Sequence, residues 1–219
     1  MFLDMTIQRN PNLITAAAHM HRQGLIEPNS YVLDVEAIAR NARVIKEQAD
    51  RYGICLYYMT KQFGRNPGVA KLIEGTDITK AVAVDVEEAK TLYKNGLTIG
   101  HVGHLVQVPT GDLAEVLAME PEVITCFSLE KAKQLAEKAQ ETGRNQAVLL
   151  KVVGKDDFIY PGQTGGIRLE DLKVAAREIM KFSTIHIVGV TSFPCLLFDG
   201  ASGEFKPTLN IQTLAAAKQ

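Results

Sequence analysis

The sequence predicts an α/β fold of the (β/α)8 TIM-barrel type, with about six barrel strands present. Short apolar runs alternate with amphipathic helical segments along most of the chain, and repeated strand, helix, strand units imply parallel pairing with right-handed crossovers. Polar and glycine-rich residues collect after the strands, where a parallel barrel builds its site. The spacing of about 20 to 40 residues per unit also fits a doubly wound sheet, so periodicity alone leaves both folds open.

The predicted elements divide the chain into an N-terminal helical extension at 1–29 and a barrel domain at 30–219. A short strand at 30–35 leads into a helix at 36–52. Barrel strands are predicted at about 54–61, 81–85, 98–106, 122–127, 147–153 and 185–193. Helices are predicted at about 11–23, 67–74, 86–95, 111–119, 129–142, 169–182 and 210–219.

Residues with capping chemistry stand at several of these boundaries. Asp85 and Ser128 each precede a helix, where a side-chain oxygen can accept from the first free backbone amides. Gly96 and Gly143 follow the same two helices, and glycine readily adopts the left-handed conformation that closes a helix. These positions therefore predict where the two helices begin and end.

Composition excludes several kinds of partner. Lys and Arg total 24 against 25 Asp and Glu, so the net charge of −1 offers no basic excess to neutralise a nucleic-acid backbone. Apolar runs are shorter than the about 20 residues that cross a bilayer, and the N-terminus lacks the pattern of a secretory signal. We expect a soluble, cytoplasmic protein with no nucleic-acid or membrane partner. Cys55, Cys126 and Cys195 lie in apolar segments without CxxC spacing, which indicates reduced core thiols and no zinc site.

The strongest candidate for chemistry is Lys61, which ends the first predicted barrel strand and precedes a turn-rich segment at 62–68. A strand of apolar and aromatic residues that ends on an amine places that amine at the mouth of the sheet. Partial burial there can lower a lysine pKa, as in Schiff-base lysines. The alternative is a solvated lysine that protects the strand edge.

Two histidines, His101 and His104, lie in the third predicted strand. Residues three apart on an extended strand point to opposite faces, and no third ligand accompanies them, so a metal site is not predicted. We expect one histidine, with Gln107, to point into the site mouth and the other to pack away from it.

Lys151 lies within the apolar fifth strand, where an ammonium must be paired, modified or turned outward because burial without a partner is costly. The loop at 154–166 that follows has four glycines but lacks the GxxxxGK[ST] order of a nucleotide-binding loop, so a flexible connection is the expectation. Cys195 has no basic neighbour in sequence to lower its pKa, which favours an unreactive thiol.

Three segments resemble the alanine racemase N-terminal barrel family, whose members are fold-type III pyridoxal-phosphate proteins. They are Ser-Tyr-Val-Leu-Asp-Val-Glu-Ala-Ile-Ala-Arg-Asn at 30–41, Met-Thr-Lys-Gln-Phe-Gly at 59–64 and Val-Asp-Val-Glu-Glu-Ala at 84–89. The motifs at 59–67, 103–107 and 193–197 are more specific and resemble the YhfX-like, amino-acid racemase-like branch. The resemblance covers the chain from about residue 30 onward.

The resemblance implies a PLP-dependent amino-acid racemase-like enzyme in which Lys61 forms the Schiff base and moves the α-proton of the amino acid. The residues it assigns are Lys61, His104 and Ser192 for the cofactor and Lys151, Gln107 and Gln163 for substrate or support. It also implies a small-molecule amino-acid substrate and a homodimer in the full-length form. The alternatives are a non-catalytic PLP-binding or homeostasis protein and an inactive fragment.

The sequence departs from the family pattern at three places. Ser192 stands where racemases commonly carry a ring-stacking histidine, and the stretch at 154–166 replaces an arginine-bearing loop. The family's last two barrel strands and its C-terminal β domain, which supplies a second acid/base, are expected to be missing after Gln219. We therefore expect a truncated form of a longer enzyme, poorly active alone.

Overall fold

Nine strands are present in the computed structural model, which describes residues 2–219. They are β1 (Tyr58–Met59), β2 (Ala81–Ala83), β3 (Ile99–Val102), β4 (Val123–Cys126), β5 (Gln146–Val153), β6 (Ile167–Arg168), β7 (Ile185–Thr191), β8 (Leu196–Asp199) and β9 (Glu204–Pro207). Six of them form a parallel sheet in the order β1, β2, β3, β4, β5, β7. The order follows the chain without the reversal that defines a doubly wound sheet, so the barrel-type prediction is confirmed.

The sheet is an open part of a barrel within the described residues. Strand β1 pairs only with β2, and β7 pairs only with β5. The short β6 pairs with Val152 and Val153 at the end of β5, beyond the part of β5 that pairs with β4. Strands β8 and β9 form a separate antiparallel hairpin.

Nine α-helices are present among the described residues. They are α1 (Phe2–Arg9), α2 (Pro11–Arg22), α3 (Val35–Arg51), α4 (Pro67–Glu74), α5 (Val86–Lys94), α6 (Leu113–Ala118), α7 (Leu129–Glu141), α8 (Leu172–Ile179) and α9 (Asn210–Ala217). Those from α4 to α8 alternate with the strands of this sheet. The core lies between helices and strands, with Leu92, Leu117, Leu135 and Leu150 fully buried. Each such leucine contributes roughly 1.5–3 kcal/mol by leaving water. None of the helices among residues 2–219 is long and apolar enough to cross a membrane.

The capping predictions for two helices are confirmed. Asp85 accepts a hydrogen bond from the Glu88 amide at 2.8 Å, and Ser128 accepts from the Lys131 amide at 3.1 Å. Gly96 and Gly143 have φ values of 75° and 65°, in the left-handed region expected after a helix. Local sequence chemistry therefore fixes the helices that follow β2 and β4.

Other expectations are wrong. The strand predicted at 30–35 is absent, because Asp34 accepts from the Ala37 amide as the N-cap of α3 and Tyr31 is 96% exposed without a strand beside it. The predicted strand at 54–61 is confined to β1, and Cys55 is exposed rather than a core thiol. The prediction also lacked α1, β6, β8 and β9, which are short or lie outside the repeated β/α units.

Candidate active site

The carboxyl ends of the parallel strands bring Lys61, His104 and Lys151 to one end of the sheet. Lys61 and His104 follow β1 and β3, and Lys151 lies in the last three residues of β5. Burial, reinforced by the positive charges of Lys151 and Lys61, lowers the pKa of His104 to about 4. The influence of both ammonium groups on one imidazole indicates that the three side chains share a site.

Lys61 projects from a tight turn and not from the strand itself. After β1 the chain enters a 3-10 turn at Lys61–Phe63, and the Thr60 carbonyl accepts from the amides of Phe63 and Arg65 at 3.2 and 3.0 Å. Gly64 and Arg65 both have positive φ, which closes the turn. Lys61 is exposed at the rim, whereas the sequence predicted partial burial, because the strand ends two residues earlier.

A buried carboxylate, that of Glu88 on α5, contacts the residues on both sides of Lys61 in this turn. Its Oε1 accepts from the hydroxyl of Thr60, and its Oε2 accepts from the Val84 amide at 2.6 Å. The Nε of Arg65 lies 3.8 Å from Oε1. Sequence reasoning missed Glu88, although a carboxylate on the apolar face of a helix beside Ala89 was an available signal.

The two histidines lie together, contrary to the prediction that they point to opposite faces. Their ring centroids are 5.3 Å apart, because β3 ends at Val102 and Gly103, with φ 84°, turns the chain before His104. His101 Nε2 lies 2.6 Å from the Thr125 hydroxyl, and burial lowers the His101 pKa to about 4. Both imidazoles are therefore neutral at pH 7.

Lys151 is buried inside the sheet, with 4% of its surface exposed. Its Nζ donates to the Gln163 carbonyl at 3.1 Å and lies 4.4 Å from the centre of the Phe127 ring. Desolvation lowers the pKa of Lys151. One hydrogen bond and a ring contact leave two N–H groups for a ligand.

The loop at 154–166 is tied down, whereas the sequence predicted a flexible connection. Asp157 accepts from the Gly154 amide at 2.8 Å and from the Thr213 hydroxyl at 2.5 Å. Asn210, at the start of α9, exchanges hydrogen bonds with the backbone of Phe158 and donates to the Ser192 hydroxyl at 3.1 Å. Sequence reasoning missed Asn210, because its partners are 18 and 52 residues away in the chain.

This loop carries aromatic rings to the mouth. Tyr160 lies between Phe158 and Phe193, with centroid distances of 5.1 and 5.9 Å. Phe193 in turn contacts the His104 ring edge-to-face at 5.5 Å. A continuous aromatic wall therefore runs from the loop to the histidines. Such a wall excludes water from one side of a flat ligand.

Gln107 braces the backbone of the site. Its amide nitrogen donates to the carbonyls of Gly103 and Thr125 at 3.0 and 2.9 Å, and its oxygen accepts from the Phe127 amide at 3.1 Å. These bonds fix the turn after β3 to the end of β4. The geometry therefore supports a bracing role, and the ligand contact assigned to Gln107 stays a prediction.

A cleft of about 670 Å³ lies elsewhere, between the 156–158 segment and the 207–212 segment. It contains none of Lys61, His104 or Lys151, so size alone does not identify the site. The described residues include no group of three His, Cys, Asp or Glu side chains placed to hold a metal ion.

These features define a class of protein: a parallel β/α barrel with amines at the carboxyl rim of its strands. The family model described as alanine racemase, N-terminal domain, matches residues 33–219, and the chain belongs to this family. The Escherichia coli K12 protein named uncharacterized protein YhfX is 44% identical over 218 residues, which cover 100% of this chain. The chain spans 56% of the length of that relative.

Solved structures share the fold at low sequence identity. Diaminopimelate decarboxylase from M. jannaschii is 14% identical, with a TM-score of 0.60 over 78% of this chain and 43% of that one. D-threonine aldolase from Filomicrobium marinum is 15% identical, with a TM-score of 0.60 over 75% and 43%. Alanine racemase from Clostridium difficile 630 is 22% identical, with a TM-score of 0.51 over 61% and 34%. The likeness establishes a common barrel-type fold.

Proposed function

We propose that this protein is a pyridoxal-phosphate-dependent, amino-acid racemase-like enzyme. In this proposal, Lys61 is the amine that binds the cofactor covalently. The proposal is supported chiefly by the convergence of Lys61, Lys151 and neutral His104 at the carboxyl rim of a barrel of this family. Members of this family's fold bind pyridoxal phosphate. The structural neighbours include a decarboxylase and an aldolase besides a racemase, and racemisation is the most specific part of our proposal.

The residues present fit the cofactor. Among the buried side-chain atoms of the described chain, His104 Nδ1 and Gln163 Oε1 have no hydrogen-bond partner. Leaving such an atom unpaired costs about 1–3 kcal/mol, which a polar ligand would recover. The aromatic wall through Phe193 offers a flat ring an apolar face, and Lys151 offers free N–H donors to an anionic group.

When bound, the cofactor supplies an electron sink for the carbanion formed at the amino-acid α-carbon. The protein supplies proton transfer and position. Lys61, exposed at the rim, is the group that removes or delivers the α-proton on its own face of the α-carbon. His104 is neutral, so it orients or packs against a ring without adding positive charge. Lys151 binds the anionic end of the ligand, and Ser192 stays a predicted cofactor contact.

The test is titration of the purified chain with pyridoxal phosphate, read by visible absorption and by borohydride trapping with peptide mass spectrometry. We expect trapping at Lys61 and its loss in Lys61→Ala. Lys80→Ala is the matched control, since Lys80 lies at the opposite end of the sheet paired with Glu122. Equal trapping in wild type and Lys61→Ala would refute the assignment.

A second measurement separates enzyme from carrier. Exchange of the α-hydrogen of candidate amino acids in deuterium oxide supports the enzyme, whereas tight cofactor binding without exchange supports a vitamin B6-binding protein. Because the chain spans 56% of the length of its E. coli relative, exchange should also be measured on that relative. We propose that the longer protein forms a homodimer, which native mass spectrometry of the relative tests.

A further inference from the structure

Glu88 combines deep burial with contacts to both sides of the candidate lysine. Its side chain is fully shielded, yet both carboxylate oxygens are engaged: Oε1 by the Thr60 hydroxyl and Oε2 by the Val84 amide. Arg65 adds a guanidinium 3.8 Å from Oε1. Thr60 and Arg65 bracket Lys61 in sequence, one residue before it and four after it.

Two other side-chain contacts hold the turn of Lys61: Arg65 also donates to Asp85 Oδ2 at 3.3 Å, and Phe63 packs against the core. Thr60 is completely buried, and its carbonyl accepts from the Phe63 and Arg65 amides. The hydroxyl of Thr60 bonds to Glu88, so one residue is fixed at both its side chain and its carbonyl. A displacement of Thr60 would therefore move the Lys61 backbone with it.

We propose that Glu88 is a positioning residue that sets the place of the Lys61 amine by fixing Thr60 and Arg65 on either side of it. This inference rests on the proposed function, in which Lys61 captures the cofactor. An enzyme reaction becomes slower when a catalytic group is displaced by about 1 Å from its productive position. Glu88 therefore acts through the turn and does not touch the cofactor.

Ordinary helix stabilisation does not account for this carboxylate. Asp85 already caps α5, and the neighbouring Glu87, with a side chain 83% exposed, supplies a negative charge at the same helix start. Burying a carboxylate is costly unless it is paired and hydrogen-bonded. Besides the Val84 amide, Glu88 accepts from the Thr60 hydroxyl and lies 3.8 Å from the Arg65 guanidinium. The contact with Thr60, directly before Lys61, is therefore the one through which Glu88 can affect the position of Lys61.

The experiment compares Glu88→Gln, Thr60→Val and Thr60→Ser with wild type, and uses Glu87→Gln as the matched control on the same helix turn. Two readouts are taken. Amide hydrogen exchange of the 60–65 segment is measured without cofactor, and the rate of borohydride-trapped pyridoxal phosphate at Lys61 is measured by peptide mass spectrometry.

We expect Glu88→Gln to speed exchange of the Phe63 and Arg65 amides at least tenfold, with exchange in β4 and β5 unchanged, and to slow trapping at Lys61 at least tenfold. Thr60→Val should act in the same direction, and Thr60→Ser, which keeps the hydroxyl, should stay within twofold of wild type. The double variant Glu88→Gln with Thr60→Val should be no worse than Glu88→Gln alone, because the two groups act as one unit.

Three results would overturn the inference: trapping at Lys61 unchanged in both Glu88→Gln and Thr60→Val, exchange that rises evenly over the whole chain, or an equal effect of Glu87→Gln. If Glu88→Gln does not fold, the two Thr60 variants decide. Failure of wild type to trap cofactor at Lys61 would refute the proposed function alone, since local exchange in the 60–65 segment still tests whether Glu88 holds the turn.

Discussion

The two ends of the parallel sheet differ in the burial and the hydrogen bonding of their polar side chains. At the amino end, Glu122 accepts from the Tyr57 hydroxyl at 2.7 Å and from Lys80 Nζ at 2.8 Å, and its side chain is 43% exposed. At the carboxyl end, His104 and Gln163 each have a buried atom without a partner. The same strands therefore carry satisfied, half-exposed pairs at one end and unsatisfied, buried groups at the other.

This difference in burial and hydrogen bonding indicates that the carboxyl end is the one suited to bind a ligand. An exposed ion pair contributes about 0–1 kcal/mol to the free energy of unfolding, so removing one changes stability little. Buried polar groups without partners reduce stability by about 1–3 kcal/mol each, a cost that a ligand can recover. The contrast predicts large effects of pH and mutation at the carboxyl end and small ones at the amino end.

The largest effect is expected from the histidine pair. His101 and His104 have pKa values lowered by burial from 6.5 to about 4, so the unfolded chain binds more protons between these pH values. The stability that the neutral rings provide is fully present above pH 6.5 and is lost as the pH falls toward 4. The lowered pKa corresponds to about 3 kcal/mol for each ring, and we expect the pair, which titrates as a coupled unit, to lose between this amount and about twice as much. Urea unfolding from pH 7.5 to 4.5 measures it.

The control for this prediction separates these rings from carboxylates that titrate nearby. His101→Gln should flatten the dependence of the unfolding free energy on pH between 6.5 and 4.5, whereas Gln134→Leu, which removes an exposed side chain without a titratable group, should leave it as in wild type. An identical slope in wild type and His101→Gln would contradict the buried, neutral assignment.

The next effect in size is expected at Gln107. Gln107→Leu keeps the approximate shape but leaves the Thr125 carbonyl and the Phe127 amide without their partner. We expect a loss of about 2 kcal/mol in the free energy of unfolding, measured by urea titration at pH 7. Gln134→Leu, which loses one exposed bond from Thr110, should cost less than about 0.5 kcal/mol. Equal losses in both variants would contradict the bracing role.

The sequence could predict the repeating part of the fold, because local chemistry determines it. Asp85 and Ser128 cap helices through partners three residues away, so their roles are visible in the sequence itself. Lys61 could be proposed as a site residue from its place at the end of a strand and from the family motif. Its neighbours depend on contacts between distant segments, such as Thr60 with Glu88 and Phe158 with Asn210.

The histidines show why the rest could not be predicted. Alternation along a strand predicts opposite faces for His101 and His104, but it holds only while the strand continues. The positive φ of Gly103 ends β3 between them and brings both rings to one side. Glycine permits this turn without requiring it, so the sequence leaves the choice to tertiary packing.

A smaller effect, with stability and ligand binding changing in different directions, is expected at Lys151. Lys151→Met removes a buried amine that makes one hydrogen bond, so the unfolding free energy should stay the same or rise by about 1 kcal/mol. Pyridoxal phosphate should bind about tenfold more weakly, which corresponds to about 1.4 kcal/mol. Absorption titration and urea unfolding measure the two quantities.

Lys155→Met is the matched control for Lys151, since it removes an exposed amine from the adjoining loop. Its cofactor affinity should remain within twofold of wild type. A large loss of stability in Lys151→Met, with cofactor affinity intact, would show that Lys151 is a structural residue and would remove it from the site.

The smallest effect is expected at the amino end of the sheet. Hydrogen bonds from Lys80, and then from Tyr57, lower the pKa of Glu122, so its contribution is present above the unfolded value of 4.5 and is lost as the pH falls through the lower folded value. Because the side chain is 43% exposed, solvent screening limits the loss in Glu122→Gln to less than about 1 kcal/mol at pH 7. The difference from wild type should shrink further below pH 4 and in high salt, as measured by urea unfolding. A loss above about 2 kcal/mol, or weaker cofactor binding in Glu122→Gln, would mean that the two ends are energetically coupled, and the contrast between them would fail.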